Sequence, residues 1–197
     1  MMKRILAEIV NVVFYAMLVV LLFVGVRHYI IQPFQVSGHS MEQTLHDGEH
    51  LFLFPQGKIE RYDIVVFPDP RGSGDSYVKR LIGLPGDTIE VKQDQLYING
   101  VAVPEPYLEP QKSQSGEQPF TQDFSLWDTI GFDRIPKGYY FVMGDNRPES
   151  GDSRQFGLVP MNSIQGEADF VYFPTNQVRR LPKYQLNADG SLTVQTK

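Results

Sequence analysis

Hydrophobic residues follow two patterns along the chain, one near the N-terminus and another over the remainder. From Ile9 to Val26 the sequence is apolar, with a single asparagine and no charged residue. This length approaches the roughly 20 residues that cross the apolar core of a bilayer. The pattern predicts a transmembrane helix over residues 9–28, preceded by a short cytoplasmic N-terminus over residues 1–8.

The flanks of this run decide between a retained helix and a removed secretory signal. A cleavable signal has a shorter apolar region followed by a small-x-small site, whereas the bulky residues Tyr-Ile-Ile occupy positions 29–31 here. The flanks therefore favour a retained, single-pass helix. Lys3 and Arg4 on one side outnumber Arg27 on the other, so the positive-inside rule favours a cytoplasmic N-terminus and an exported body.

Beyond Pro33 the apolar residues occur in short runs separated by turn-forming residues, which is the pattern of β-strands. The predicted strands are Leu51–Phe54, Asp63–Phe67, Tyr77–Ile82, Thr88–Lys92, Tyr139–Met143 and Ile164–Phe173. Residues 95–103 form the clearest hairpin, because two apolar runs meet at Asn99-Gly100, a pair favoured in type I′ turns. We expect a last hairpin around Asp189-Gly190.

Residues 104–138 are rich in Pro, Gln, Ser and Asp and show little periodicity. They predict a long excursion or flap, which with the preceding hairpin makes a non-catalytic insertion over about residues 94–138. The predicted fold class is mainly β: an N-terminal transmembrane helix followed by an exported antiparallel β domain, residues 29–197, that contains this hairpin and flap.

Composition narrows the classes of function. Hydrophobic residues make up 42% of the 197 residues, enough for a packed core. The absence of cysteine excludes disulfides, thiolate nucleophiles and thiolate metal sites. The formal net charge is −5, and because residues 1–31 carry three basic residues and one acid, the rest carries −7. An acidic body argues against nucleic acid as a partner.

Ser40 lies in the stretch Val-Ser-Gly-His-Ser-Met at residues 36–41, where the chain leaves the predicted membrane span. A serine hydroxyl becomes a nucleophile only when a nearby base takes its proton. His39 is badly placed for this, since adjacent side chains of an extended segment point to opposite faces. His46 and His50 sit in a charged stretch that we interpret as a solvated loop. The sequence supports neither a Ser-His-Asp triad nor a metal site.

Lysine is the alternative base, and it acts only when neutral. Burial in apolar surroundings lowers a lysine pKa. Lys79 has the most apolar context among the lysines, and strand alternation places it on one face with Tyr77 and Leu81, with Arg80 on the other. On this stretch alone, the favoured interpretation is an edge-strand lysine that discourages sheet association.

Residues 144–160 form a stretch dense in Gly, Asp, Asn and Ser, which indicates a structured loop. Asp152 and Arg154 lie two residues apart and could pair, as could Asp145 and Arg147. Ion pairs of this kind usually stabilise a surface by only about 0–1 kcal/mol. Considered alone, this loop is therefore also interpreted as having a structural and not a catalytic role.

Taken together, these stretches resemble the sequence boxes of the type I signal peptidases (leader peptidases), which are Ser-Lys serine proteases. The resemblance covers roughly residues 30–160, in the same order behind a transmembrane segment. Its motifs are VSGHSM at 36–41, RYDIVVFPDP at 61–70, YVKRLIGLPGD at 77–87 and GDNRPESGDSR at 144–154.

The resemblance implies a role for each matching residue. Ser40 matches the nucleophile, Lys79 the general base, and Ser150 the hydroxyl that orients the lysine ammonium. Asp152 and Arg154 match a structural ion pair under the site. The remaining matches are Asp145 in the same scaffold and Phe34, Val36, Met41, Tyr77 and Val78 in the substrate cleft.

One position departs from some members of the family. They carry a serine two residues before the nucleophile, whose hydroxyl helps to bind the oxyanion, and this chain has Gly38 there. The Ser40 backbone N–H is then expected to carry more of the oxyanion hole, and what completes the hole stays open.

The resemblance further implies an acyl-enzyme mechanism without cofactor or metal. The expected partners are preprotein signal peptides, with small residues at the first and third positions before the cut, and membrane lipid. The expected location is the plasma membrane, with the catalytic domain outside the cytoplasm, or a thylakoid membrane if the source is photosynthetic. We expect a monomer.

Two alternatives remain to be weighed. A self-cleaving repressor also uses a Ser-Lys pair, but such proteins lack the membrane anchor and the GDNR box. A membrane-anchored β binding module or inactive homologue would not need a hydroxyl at position 40 together with an amine at position 79. Both groups are present in this chain, as is Ser150.

Overall fold

A long exposed helix precedes the β domain. In the computed structural model, which describes residues 2–114, 116, 119–187 and 189–195, helix α1 begins at Met2 and ends at Tyr29. Residues 2–8, expected to precede the helix, are therefore part of it. The section Lys3–Gly25 is long and apolar enough to cross a bilayer, and none of it is buried against the rest of the protein.

The rest of the chain is mainly antiparallel β, as predicted. The strands, in chain order, are β1 Gln32–Gln35, β2 His50–Phe54, β3 Ile64–Pro68, β4 Ser76–Gly83, β5 Ile89–Lys92, β6 Gln95–Ile98, β7 Val101–Val103, β8 Phe124–Ser125, β9 Tyr139–Met143, β10 Val159–Pro160, β11 Gly166–Phe173, β12 Arg179–Arg180, β13 Lys183–Leu186 and β14 Leu192–Gln195. Short helices are α2 Glu109–Lys112, α3 Leu126–Ile130 and α4 Ser153–Phe156, and 3-10 turns occupy Pro106–Leu108, Arg147–Glu149, Met161–Ser163 and Thr175–Gln177.

The main sheet carries the strands that the sequence pattern predicts most clearly. Its order is β1-β2-β11-β3-β4-β9-β10, with β12 added beside β11, and every pairing is antiparallel. A second sheet has the order β7-β6-β5-β8. Both predicted hairpins form: β6 pairs with β7 around Asn99-Gly100, and β13 pairs with β14 around Asp189-Gly190. Asn99 and Gly100 have φ of 53° and 78°, as a type I′ turn requires.

The polar stretch 104–138 is not a loose flap. Tyr107, Leu108, Phe120, Leu126 and Ile135 are buried in one cluster with residues of β4, β5 and β9. Their spacing is irregular because 3-10 turns and one-turn helices alternate with short extended pieces, so no period of two or 3.6 residues is visible. The excursion is thus an integral layer of the hydrophobic core.

Strand β4 lies in the interior of the main sheet, between β3 and β9. Among the described strands, Lys79 itself pairs with β3 alone, but it is only 4% exposed, so the interpretation of it as an edge lysine that discourages sheet association is wrong. Tyr77 and Leu81 belong to one apolar cluster and Val78 to another, which confirms the predicted alternation of faces. The pairing of β4 with β9 covers only Arg80 to Gly83, so the preceding residues of β4 pair with β3 alone among the described strands.

Candidate active site

Ser40 and Lys79 are in direct contact. The distance between Lys79 Nζ and Ser40 Oγ is 2.6 Å, and Nζ also donates a hydrogen bond to the Val78 carbonyl at 3.1 Å. Lys79 is only 4% exposed. As an ammonium, Nζ donates to Ser40 Oγ; as a neutral amine, it can accept the hydroxyl proton along the same line.

The surroundings of Lys79 make the neutral form accessible. Burial lowers the pKa of Lys79 from 10.5 to about 8, although the negative charges of Asp152 and Asp145 partly oppose this shift. This value lies close to neutral pH, where a general base is most effective. The prediction of a depressed lysine pKa from apolar context therefore agrees with the structure.

The histidines near Ser40 are occupied elsewhere. The segment that carries His39 is a turn and not an extended strand, but the ring still points away: it is 67% exposed and its Nδ1 lies 3.2 Å from Glu42 Oε1. His46 Nδ1 contacts the other oxygen of Glu42 at 2.5 Å. We expected His50 to lie in a loop, but it begins β2. Its ring packs edge-on against Tyr172 and Phe173.

The loop after β9 is hydrogen-bonded to the turn that carries Ser40. The Asn146 backbone N–H donates to the Ser40 carbonyl at 3.0 Å, and Asn146 Nδ2 donates to the His39 carbonyl at 3.1 Å. Thr44 Oγ1 donates to Asp145 Oδ2 at 2.5 Å. Sequence reasoning missed Asn146 and Thr44, because nothing in the local pattern indicates that these segments meet.

Gly144 is where the two segments approach most closely. A Cβ added there would lie 2.4 Å from the Ser40 carbonyl oxygen and 2.1 Å from Ser150 Oγ. No other amino acid fits at such distances without displacing the Ser40 turn. The glycine is therefore a steric requirement of the site.

Gly38 cannot contribute its backbone N–H to an oxyanion hole in this arrangement. With φ of 90° it adopts a conformation that favours glycine, and its N–H donates to Asp47 Oδ1 at 2.7 Å. The Ser40 N–H, by contrast, has no acceptor among the described residues. The Ser40 N–H, which the sequence analysis named as an oxyanion donor, is therefore available in this structure, and the Gly38 N–H is not.

Asp145 pairs with a different arginine from the one expected. Arg80 donates to it through Nε at 2.8 Å and Nη2 at 2.5 Å, and both side chains are fully buried. Arg147, its neighbour in sequence, points the other way and forms a buried ion pair with Glu105 from the excursion. The prediction of an exposed Asp145–Arg147 pair is therefore wrong.

Asp152 and Arg154 form the predicted pair. Arg154 Nε and Nη2 donate to the two Asp152 oxygens at 2.9 and 2.8 Å, and the Gly144 N–H donates to Asp152 Oδ2 at 2.9 Å. Burial raises the pKa of the Asp152 carboxyl, but Arg154 and the hydrogen bonds outweigh it and hold the pKa below its usual value. Asp152 therefore stays ionised beneath the site.

Ser150 Oγ is buried beside Asp152, and among the described residues it has no hydrogen-bond partner by distance and angle. It is near enough to contribute to the lowered Asp152 pKa. The Lys79 ammonium bonds to Ser40 Oγ and the Val78 carbonyl rather than to Ser150. Its expected role in orienting Lys79 remains a prediction.

A cleft of about 240 Å³ leads to the Ser40–Lys79 pair. Its lining includes Phe34, Gly38, Tyr77 and Val78. Two residues expected in the cleft are elsewhere: the side chains of Val36 and Met41 are buried in the core cluster behind it. They support the cleft wall and do not line the cleft.

Metal ligands are not grouped around the site. No cluster of three or more His, Cys, Asp and Glu side chains that could hold a metal ion occurs in the part of the chain that the structure describes.

Comparisons with known proteins identify the family. The family described as signal peptidase, peptidase S26, matches residues 6–173. Signal peptidase I of Bacillus licheniformis is 42% identical over 183 residues, which cover 90% of this chain and 94% of that protein. Signal peptidase I T of Bacillus subtilis (strain 168) is 45% identical over 166 residues, 82% of this chain and 83% of that protein.

A solved structure agrees with these relatives. The crystal structure of a signal peptidase I from Enterococcus faecalis V583 is 48% identical and has a TM-score of 0.54, covering 56% of this chain and 97% of that one. The sequence resemblance to the type I signal peptidases is thereby confirmed. The chain belongs to the signal peptidase family, peptidase S26.

Proposed function

We propose that this chain is a membrane-anchored serine endopeptidase that removes N-terminal signal peptides from exported preproteins. Membership of the signal peptidase family supports the removal of signal peptides by a serine peptidase. The observation that carries the finer assignment is the 2.6 Å contact between Ser40 Oγ and the buried Lys79 Nζ. Ser40 is the proposed nucleophile and Lys79 the proposed general base.

The proposed reaction is acyl transfer in two steps. Neutral Lys79 takes the proton of Ser40, Oγ forms a bond to the scissile carbonyl carbon, and Lys79 returns the proton to the departing amine as the C–N bond breaks. Water then attacks the acyl-enzyme, with Lys79 again as the base, and releases the signal peptide carboxylate together with Ser40. The Ser40 N–H is the proposed donor to the oxyanion, because hydrogen-bond donors aimed at the developing charge stabilise the transition state.

Substrate binding is proposed to occur by strand addition in the cleft. The start of β4, Ser76 to Val78, lacks a partner on its β9 side among the described strands, and β1 lies at an edge of the main sheet. An extended peptide can form main-chain hydrogen bonds with such free edges. Phe34 and Tyr77 narrow the cleft, which favours small side chains at the first and third positions before the cut.

The buried charges behind the dyad have a proposed positioning role. Asp145 connects Arg80 of β4 to Thr44 of the Ser40 turn, so it holds the base-bearing strand and the nucleophile in register. Asp152 and Arg154 fix the loop that follows Gly144. Ser150 Oγ is proposed to accept a hydrogen bond from the Lys79 ammonium when Lys79 moves during the reaction.

Helix α1 is the proposed membrane anchor. It is long, apolar and unburied, which fits a single-pass span with the catalytic domain on the extracytoplasmic side. The plasma membrane is the proposed location, or the thylakoid membrane in a photosynthetic source, with surrounding lipid as a partner and the monomer as the working form. The anchor keeps the cleft at the surface where a preprotein emerges.

A direct test is cleavage of a model preprotein by the detergent-solubilised full chain. The expected result is a single mature product whose N-terminus follows a small-x-small sequence, established by N-terminal sequencing. Cleavage at other sites, or none with an intact signal peptide, would contradict the assignment.

We expect kcat/KM to rise with pH and to level off above about pH 8. Only neutral Lys79 acts as the base, and burial lowers its pKa to about 8. Below that value the active fraction falls by about tenfold per pH unit. Initial rates with a peptide substrate between pH 5 and 9.5 measure the profile, and a flat profile over this range would exclude lysine as the base.

Replacing Gly144 with alanine is expected to lower kcat by about 10²-fold, the effect of displacing a reacting group by roughly 1 Å. The added Cβ would lie 2.4 Å from the Ser40 carbonyl oxygen, so the nucleophile turn must move. Gly25→Ala in α1 is the control, because its Cβ would meet no atom within 4 Å and it lies away from the cleft. Equal activity of the two variants would show that the close packing does not position Ser40.

A further inference from the structure

The loop between β3 and β4 reaches the cleft with the side chain of Arg71. This residue lines the cleft together with Tyr77 and Lys79, although it plays no part in the proposed proton transfer. Its guanidinium contacts the Tyr77 side chain in two ways: Nη2 donates a hydrogen bond to the Tyr77 hydroxyl, and Cζ lies 5.6 Å from the centre of the ring. An exposed arginine at the edge of the cleft is thus bonded to a residue that lines it.

Asp69, two residues earlier, holds Arg71 in this position. Its Oδ1 accepts hydrogen bonds from the Arg71 backbone N–H at 2.9 Å and from Arg71 Nε at 3.3 Å, and the Asp69 side chain is only 3% exposed. Burial raises the pKa of the Asp69 carboxyl, but hydrogen bonds from Arg71, Ser73 and Tyr77 outweigh burial and hold the pKa at about 2. The charged carboxylate therefore restricts an arginine side chain that is otherwise 59% exposed.

The loop that carries Asp69 and Arg71 is closed by its own backbone. The Asp69 N–H donates to the Asp75 carbonyl at 2.9 Å, and the Gly72 N–H donates to the Asp69 carbonyl at 2.9 Å. The strands on either side, β3 and β4, are paired up to the loop, and Tyr77 lies on β4. Arg71 and Tyr77 are therefore held on one framework.

The Tyr77 ring lies beside the catalytic pair. Lys79 Nζ is 5.3 Å from the centre of the ring and 2.6 Å from Ser40 Oγ. A carbonyl carbon poised for attack is about 3–3.5 Å from the nucleophile, and the side chain of the first residue before the cut begins two bonds away from that carbon. This side chain therefore enters the space beside Ser40 and Lys79 that the Tyr77 ring borders.

Aromatic packing also contributes to the position of the ring. The Tyr77 ring lies 6.3 Å from that of Phe67, its partner on β3, and 6.0 Å from that of Phe156. Apolar contacts are non-directional, whereas the hydrogen bond from Arg71 fixes the hydroxyl end of the ring. Removal of the hydroxyl therefore separates the two contributions.

We propose that Arg71 is a positioning residue: anchored on Asp69, it fixes the Tyr77 ring beside Lys79 and thereby restricts the first residue before the cut to a small side chain. Without Arg71 the ring can turn away from the cleft, which leaves room for a larger side chain. This inference rests on the proposed peptidase function. It assigns to Arg71 an effect on substrate choice that is exerted through Tyr77.

The test is a competition between two peptides in one reaction with the detergent-solubilised full chain. The peptides share one signal-peptide sequence, with alanine at the third position before the cut, and differ only at the first position, which is alanine or valine. Mass spectrometry of the two products at low conversion gives the ratio of the two kcat/KM values. Partial unfolding, or a change of charge near Lys79, alters both rates by one factor and leaves this ratio unchanged.

We expect Arg71→Met to lower the preference for alanine over valine by about tenfold, a part of the roughly 10–200-fold discrimination that a fitted pocket achieves for small differences in size. Tyr77→Phe, which removes only the hydroxyl, should give the same change. The double variant should change the preference no more than either single variant, because the two residues act through one contact. The Tm of Arg71→Met should stay close to that of the wild type, since exposed positions contribute little to stability.

Arg134→Met is the matched control. Arg134 is an exposed arginine that donates to the Gly86 carbonyl at 2.8 Å and is not among the residues that line the cleft, so the preference should be that of the wild type. The proposal is overturned if Arg71→Met keeps the wild-type preference, if the double variant adds the effects of the single ones, or if Arg134→Met changes the preference equally. Failure of the wild type to cleave either peptide would instead contradict the peptidase function itself.

Discussion

Replacing Lys79 with methionine is expected to lower kcat/KM for a model preprotein by about 10³-fold or more, since a general base alone contributes about 10²–10⁴-fold and the nucleophile depends on it. Methionine has a similar length and suits the buried position, which is only 4% exposed. The loss is therefore expected without unfolding. Initial rates and a thermal unfolding curve, measured on the same preparation, separate the two effects.

Two companion variants identify the role of the lysine. Lys79→Arg keeps a positive charge beside Ser40 but cannot supply a neutral base, so it should be as inactive as Lys79→Met. Ser40→Ala should be inactive as well. The double variant Ser40→Ala/Lys79→Met should lose no more than either single variant, because residues that act as one unit are not additive. Appreciable turnover by Lys79→Arg would mean that charge, and not proton transfer, is what the position supplies.

Replacing Glu105 with alanine is expected to lower the free energy of unfolding by about 3–5 kcal/mol, the cost of leaving a buried charge without its partner. Arg147 is completely buried, and Glu105 is its ionic partner in the structure. Burial lowers the pKa of Arg147, but Glu105 more than offsets this and raises the pKa above its usual range. Arginine is not deprotonated in proteins, so in the variant the guanidinium cannot escape the cost by becoming neutral. Urea unfolding of the full chain in detergent measures the change.

The matched control for Glu105→Ala is Lys92→Ala. Lys92 and Glu90 both lie on β5 and form an exposed ion pair, which this substitution breaks. It should leave the urea midpoint unchanged. We also expect Glu105→Ala to reduce activity, because Arg147 donates to the Gly144 carbonyl at 3.1 Å, and Gly144 packs against Ser40. If both variants unfold at the wild-type urea concentration, the buried pair is not a major source of stability.

Strand positions and the contact between Ser40 and Lys79 could be predicted because their signals are local or carried by specific motifs. The runs that became β2, β3, β4, β9 and β11 are apolar and bounded by turn residues, and the structure shifts their ends by at most two positions. Lys79 stood out because its neighbours are apolar, which is the property that lowers its pKa.

The partners of buried charges could not be predicted from local sequence. Arg80 and Asp145 are 65 positions apart, and Arg147 turns away from its neighbour because a 3-10 turn begins at that residue. Proximity along the chain therefore gave the wrong pair. Pairings of this kind depend on which strands are adjacent, and the order of strands in the sheet does not follow the order along the chain.

The directions of the side chains near the site could not be predicted from the sequence either. Val36 and Met41 flank Ser40 in sequence, yet both point into the core, because the chain between β1 and β2 coils into turns rather than alternating as a strand. The irregular excursion also concealed that Glu105 pairs with Arg147 of the loop after β9. The excursion packs against the core through isolated apolar residues that do not recur at a regular spacing.

The short connection between α1 and β1 has a consequence for substrate choice. Only Ile30 and Ile31 separate the end of the helix from the edge strand that leads to Ser40, and β1 is fastened to β2 along its whole length. If α1 is the anchor, the serine has little freedom to move up or down relative to the lipid. The short connection then fixes the height of Ser40 above the membrane, and a peptide bond must reach that height to be cut. The distance between a preprotein's apolar segment and its scissile bond thereby becomes a selection criterion that does not depend on side chains.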